Sequence, residues 1–206
     1  MKKNILKITV MTGILIFLFS TIAYALIQYG TFSCWYSSSN TIGKWFDKSP
    51  CINSEIHGFP YTTVSSVNNG INRSINVWSS ARIYPYKTSS TTPDIKVFFA
   101  DLDYMTGYLG YWSGAVAETN NGATDYGRGT YGSVTKKVFN IHTSIIYYVP
   151  NPAYYDDYIV SHEVGHALGY YGHISNSTAL MYSSSQRSTN APNLSANEAS
   201  HMKNLY

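Results

Sequence analysis

The sequence predicts an α+β fold: a twisted mixed sheet, a helix that carries the chemistry and a further helix at the C-terminus. Three observations predict it. Two stretches, 64–81 and 151–168, place apolar residues at three- and four-residue spacing, the period of a helix with one buried face. Two others, 95–100 and 134–149, are rich in β-branched and aromatic residues, as strands are. Near the end, Ser195 and Glu198 stand at the interval at which two side chains close a helix N-terminus reciprocally.

Taken in order, residues 26–60 are rich in Ser, Gly and aromatics and are expected to be irregular with short strands. Val64, Val67, Ile71, Ile75 and Trp78 then form one apolar helical face. Pro93 and Asp94 precede the first clear strand, 95–100. Residues 101–133, rich in Gly, Tyr and Asn, are expected to be mostly loop with a short strand at 114–118. One or two strands follow over 134–149. Asn151-Pro152 reads as a helix start, since Pro is tolerated at the first helical position. Asp156 and Asp157 are favourably placed early in that helix. Val160, Val164, Ala167 and Leu168 line one of its faces, and Gly169 stops it, because Gly adopts the left-handed conformation cheaply. After a Ser/Asn-rich turn and Leu180-Met181-Tyr182, the last helix opens at Leu194 to Glu198.

The N-terminus reads as a secretory signal. Lys2, Lys3 and Lys7 precede an apolar run, and Ala23-Tyr24-Ala25 offers small residues for cleavage after Ala25. The rival reading, an uncut membrane anchor, requires a longer apolar span. Residues 1–25 are thus expected to be a signal peptide, and 26–206 one secreted, monomeric domain without stable membrane insertion. The whole chain has 14 Lys plus Arg and 11 Asp plus Glu, a net of +3. Three of the Lys lie before residue 26 and no acid does, so the remainder holds 11 of each sign and is neutral. No basic stripe tracks a phosphate backbone, which argues against nucleic acid as a partner. Cys34 and Cys51 form an even pair in an exported chain and are expected to form a disulfide. Closing so short a loop would contribute about 3 kcal/mol. The rival reading makes one thiolate a metal ligand.

The chemistry concentrates at 162–173. His162 and His166 are four apart, so on a helix they share a face, with Cβ atoms about 6 Å apart. Two such imidazoles can reach one zinc ion at Zn–N distances of about 2.0–2.1 Å. Glu163, beside the first, is placed to act on water rather than to coordinate. Gly169 lets the chain turn back, and His173 is the next residue able to serve as a third ligand. Three protein ligands with one open position is the catalytic arrangement for zinc.

This stretch resembles the metzincin signature HExxHxxGxxH, and HEVGHALG, from His162 to Gly169, is similar to the wording of matrixins. One departure stands out. Gly172 occupies the position of the family's third ligand, and His173 follows one residue later. The intervening Tyr170-Tyr171-Gly172 lies beyond the helix, where one extra residue can be absorbed. The resemblance implies a zincin-like fold, one catalytic zinc, and a zinc metalloendopeptidase acting on protein or peptide substrates. It implies that Met181, within Ala179-Leu180-Met181-Tyr182, forms a Met-turn, an apolar floor beneath the ligands. It also implies that the helix from Leu194 to Tyr206 closes the domain. Matrixin pro-domains plug their zinc with a cysteine, but Phe32-Ser33-Cys34-Trp35-Tyr36 lacks that motif, and no pro-domain is recognisable. No structural zinc site is expected. Asp101 and Asp103 are candidate calcium ligands, although acids at a strand end are more often solvated.

The implied reaction has Glu163 as general base, with substrate extended along an edge strand, 114–118 being the candidate. Tyr182 either packs or touches substrate. Two rivals remain. In a gluzincin-type peptidase Glu198 would be the third ligand. A non-catalytic secreted zinc-stabilised binding protein would need a fourth protein ligand, with His142 and His201 the free candidates. Asn72, Asn176 and Asn193 fit the glycosylation pattern.

Overall fold

Three strands meet on the long strand β7, and their pairing sets where everything else lies. The computed structural model describes residues 33–34, 41–58, 61–110, 112–131, 134–150, 156–182 and 193–206. The predicted signal, 1–25, and the expected helix start at Asn151-Pro152 lie outside the described residues. The strands are β1 (Ser33–Cys34), β2 (Thr41–Trp45), β3 (Cys51–His57), β4 (Tyr86–Lys87), β5 (Ile95–Ala100), β6 (Ala117–Tyr131), β7 (Val134–Tyr148) and β8 (Tyr170–Tyr171). The described helices are α1 (Tyr61–Ser79), α2 (Leu102–Leu109), α3 (Asp156–Ala167) and α4 (Ala196–Leu205).

The main sheet has six strands and is mixed. β2, β5 and β7 are parallel, as are β5, β3 and β4, and β6 is antiparallel to β7. β6 accompanies β7 over its whole length, from Ala117 opposite Tyr148 to Tyr131 opposite Val134. β2 and β5 pair with successive stretches of β7, the first with Lys137 to Ile141 and the second with Ser144 to Tyr148. Among the described residues no strand pairs with the outer edge of β6. A separate two-stranded ladder joins β1 to β8.

Side chains of a strand alternate between faces, and β5 divides accordingly. Ile95, Val97 and Phe99 join the main core beneath α1 and α3, whereas Phe98 packs with Met105 of α2 and Tyr147 on the opposite face. The expected apolar face of α1 is there: Val67, Ile71 and Trp78 are fully buried and Ile75 partly so. Ser74 and Ser161 meet where α1 crosses α3, and each hydroxyl donates back to its own helix, to Gly70 O and Asp157 O. That bonding lets two polar residues sit in a dry contact without loss.

Two expectations are corrected. Residues 101–133 are not mostly loop, since they hold α2 and the whole of a fifteen-residue strand. The helix is capped by Asp101, which accepts from Tyr104 N at 2.7 Å. The strand is stabilised by its ladder to β7 and carries no apolar alternation of its own, so composition alone reads as loop. The Cys34–Cys51 bridge is absent, because Cys51 is a free thiol. Its sulfur accepts from Asp94 N while its own N–H donates to the Asp94 carboxylate. Cys34 belongs to the β1–β8 ladder, and its side chain lies outside the described residues.

Candidate metal centre

Helix α3 lies close enough to α1 that one residue must be Gly. A Cβ on Gly165 would sit 2.4 Å from the Trp78 ring and 2.6 Å from the Met181 sulfur. Trp78 also donates its indole N–H to Ser161 O at 3.0 Å. Val160, Val164, Ala167 and Leu168 are all fully buried, as their spacing predicts. Carbonyls at a helix C-terminus lack the donors of a following turn, and three distant side chains reach those at the end of α3. Asn121 donates to His166 O at 3.1 Å, Trp45 to Ala167 O at 2.7 Å, and Tyr206 to Leu168 O at 2.6 Å.

Beyond the helix the chain reverses. Gly169 takes φ +103°, and a Cβ there would lie 2.4 Å from Gly43 O. Gly172 takes φ +74°. This return brings two backbone carbonyls to the imidazoles. His162 Nδ1 donates to Leu180 O and His166 Nδ1 donates to Tyr170 O, each at 2.8 Å. A proton held on Nδ1 leaves the lone pair on Nε2, which is how a carbonyl behind the ring readies a histidine to bind a metal.

His173 arrives at the same point. Its Nε2 and that of His166 each lie 3.2 Å from His162 Nε2. Nitrogen ligands about 2.0–2.1 Å from one tetrahedral ion stand roughly 3.3–3.4 Å apart, so the donor set fits a single zinc-sized cation. Among the described residues no other group of three or more His, Cys, Asp or Glu could hold a metal. Burial lowers the pKa of His166, and burial followed by the neighbouring His166 lowers that of His173. Both effects favour the neutral, metal-binding imidazole.

Glu163 is buried next to this cluster. Thr119 of β6 donates to its Oε2 at 2.5 Å and also approaches its backbone oxygen at 3.2 Å. Burial pushes the carboxyl up from 4.5 to about 7. The Thr119 hydroxyl and His173 oppose that rise, and Glu118 adds to it. Residues 45–206 match the matrixin family profile. The chain belongs to the matrixin family. No curated protein sequence matches it. Membership makes it a zinc-dependent metallopeptidase by class, acting on proteins or peptides, in a family that is typically extracellular.

The remaining candidates of this matrixin stand outside the three-histidine group. Met181 is fully buried, with its sulfur against Gly165, one residue before His166. Glu198 is fully buried and outside the cluster. Its Oε2 accepts from Ser195 N at 2.7 Å, completing the predicted capping box, and its Oε1 accepts from Met181 N at 2.7 Å. Both carboxylate oxygens are therefore engaged by backbone. His142 is exposed, and His201 is buried edge-on against the Tyr170 ring. Neither joins the three histidines. Asp101 serves as the α2 cap, and Asp103 is exposed. Tyr182 backbone oxygen accepts from Tyr158 OH. Thr119, Asn121, Trp45 and Tyr206 carry no sequence signal for their roles, since each meets α3 from at least 38 residues away.

Proposed function

We propose that this matrixin is a secreted endopeptidase that holds one catalytic zinc on His162, His166 and His173 and uses Glu163 as general base. The observation that carries the reading is the convergence of three Nε2 atoms beside a buried carboxylate. Bound zinc would supply Lewis acidity, polarising the scissile carbonyl and lowering the pKa of water toward about 7. Glu163 Oε1, which has no hydrogen-bond partner among the described residues, takes the proton from the attacking water and returns it to the leaving amine. Met181 underpins the ligand helix as the Met-turn residue. The outer edge of β6 offers unpaired backbone groups to an extended peptide, so an unfolded or flexible segment is the substrate form that fits. Residues 1–25 act as the export signal and 26–206 as the catalytic domain. Among the described residues no helix is long and apolar enough to cross a membrane.

The test is Glu163→Gln in the purified protein. Zinc content should be unchanged, while cleavage of casein falls about 10²–10⁴-fold, the usual contribution of general-base catalysis. Wild-type cleavage by this variant would refute the assignment of the base.

A further inference from the structure

Thr119 stands out because it touches the base from a different layer of the fold. It lies on β6, opposite Ile146 of β7, with its side chain on the face turned toward α3. The same hydroxyl meets both the carboxylate and the backbone oxygen of Glu163, at 2.5 and 3.2 Å. A hydroxyl has one proton, so the shorter, charge-assisted bond to Oε2 takes most of it. Two acceptors from one residue pin the hydroxyl relative to that residue's own backbone and so restrict the rotation of the carboxylate. Oε2 is then occupied and Oε1 is left for the reacting water. The register of β6 against α3 is held a second time by Asn121, whose amide donates to His166 O.

We infer that Thr119 is a positioning residue: its hydroxyl holds Oε2 of Glu163 so that Oε1 faces the reaction, and it does so from the strand whose free edge receives the substrate. The inference rests on the peptidase reading given above. It has a physical consequence that a packing role lacks. A peptide pairing with β6 and the carboxylate that acts on it take their relative position from one residue, so loss of the hydroxyl disturbs turnover more than binding.

The experiment compares Thr119→Val, which keeps the shape and removes the hydroxyl, with Thr119→Ser, which keeps the hydroxyl. With zinc-loaded protein and a peptide substrate, Thr119→Val should lower kcat roughly 10–100-fold, the size expected for a hydrogen bond to a charged group, with KM and zinc content little changed. Thr119→Ser should recover most of that loss. A second readout uses thermal unfolding of the metal-free protein at pH 8. There Thr119→Val should lower Tm clearly when Glu163 is present and much less in a Glu163→Ala background. Wild-type kcat in Thr119→Val, a Ser variant as slow as the Val variant, or equal Tm losses in both backgrounds would overturn the inference. If wild-type protein cleaves nothing, the peptidase reading has failed instead, and the Tm cycle alone decides whether the hydroxyl holds the carboxylate.

Discussion

The histidine-bearing helix α3 and the segment that follows it build one cluster by opposite means. Within α3, His162 and His166 are neighbours because any α-helix brings residues four apart together. Between 169 and 182 nothing is periodic. Two glycines with positive φ reverse the chain, and the segment is tied down by Ile174 N donating to Met181 O and by Met181 N donating to Glu198. The irregular segment nevertheless contributes more to the cluster than a third imidazole. Its Tyr170 and Leu180 carbonyls set the tautomers of both helical histidines. A helix supplies spacing at little cost, but orientation of the rings has to come from outside it.

The sharpest way to break the comparison is His173→Ala. If the segment completes the site, the variant should lose zinc and its casein cleavage should fall to background, as measured by metal analysis and a caseinolysis assay. Full zinc and full activity would mean that the helix suffices.

A second experiment separates the helix from its metal. In metal-free protein, burial holds the Glu163 carboxyl near 7 rather than 4.5. The folded state therefore binds this proton more tightly than the unfolded chain does. That contribution is complete below about pH 4.5 and is lost as pH rises through about 7, a change of about 3 kcal/mol. Glu163→Gln does not titrate. Relative to wild type it should gain about 3 kcal/mol of stability between pH 4 and pH 8, measured by denaturant unfolding after chelation. An unchanged difference across that range would mean that the carboxyl is well solvated.

The anchoring of the irregular segment can be probed at Glu198. Each of its oxygens accepts from a backbone N–H, Ser195 on one side and Met181 on the other. A Gln amide can accept with its oxygen alone, so Glu198→Gln leaves one buried donor facing another. The expected loss is roughly 2 kcal/mol, with zinc retained. Thermal unfolding that matches wild type would show that the second bond contributes nothing. The smallest effect is expected at Gly172, where a Cβ would meet nothing within 4 Å and the cost is only that of φ +74°. Gly172→Ala should cost about 1 kcal/mol and leave zinc in place.

The one-residue offset of His173 was visible in the sequence, yet its outcome was not. Whether the extra residue carried the ring to the other two histidines or away from them depended on the turns at Gly169 and Gly172 and on the docking of Gly169 against Gly43 O. The same holds for β6. Its Gly- and Asn-rich run looks like loop, and only the fifteen-residue partner β7 makes a strand of it. Cys51 shows the reverse error: an even cysteine count suggested a partner, whereas the fold set its thiol against Asp94.

By itself the sequence determined whatever depends on contacts within a few residues. These are the paired faces of α1 and α3, the shared face of His162 and His166 with Glu163 between them, the stop at Gly169, and the capping box of Ser195 and Glu198. Helical periodicity and capping act over one or two turns, so residue spacing specifies them. The tertiary structure alone decided the meeting of His173 with the other two histidines, the grip of Thr119 on the Glu163 carboxylate, and the capping of α3 by Asn121, Trp45 and Tyr206. Those contacts join residues from 38 to 122 positions apart, apart from His173, and rest on strand pairing and packing. Their free energy appears only when the whole sheet closes, so no local pattern encodes them.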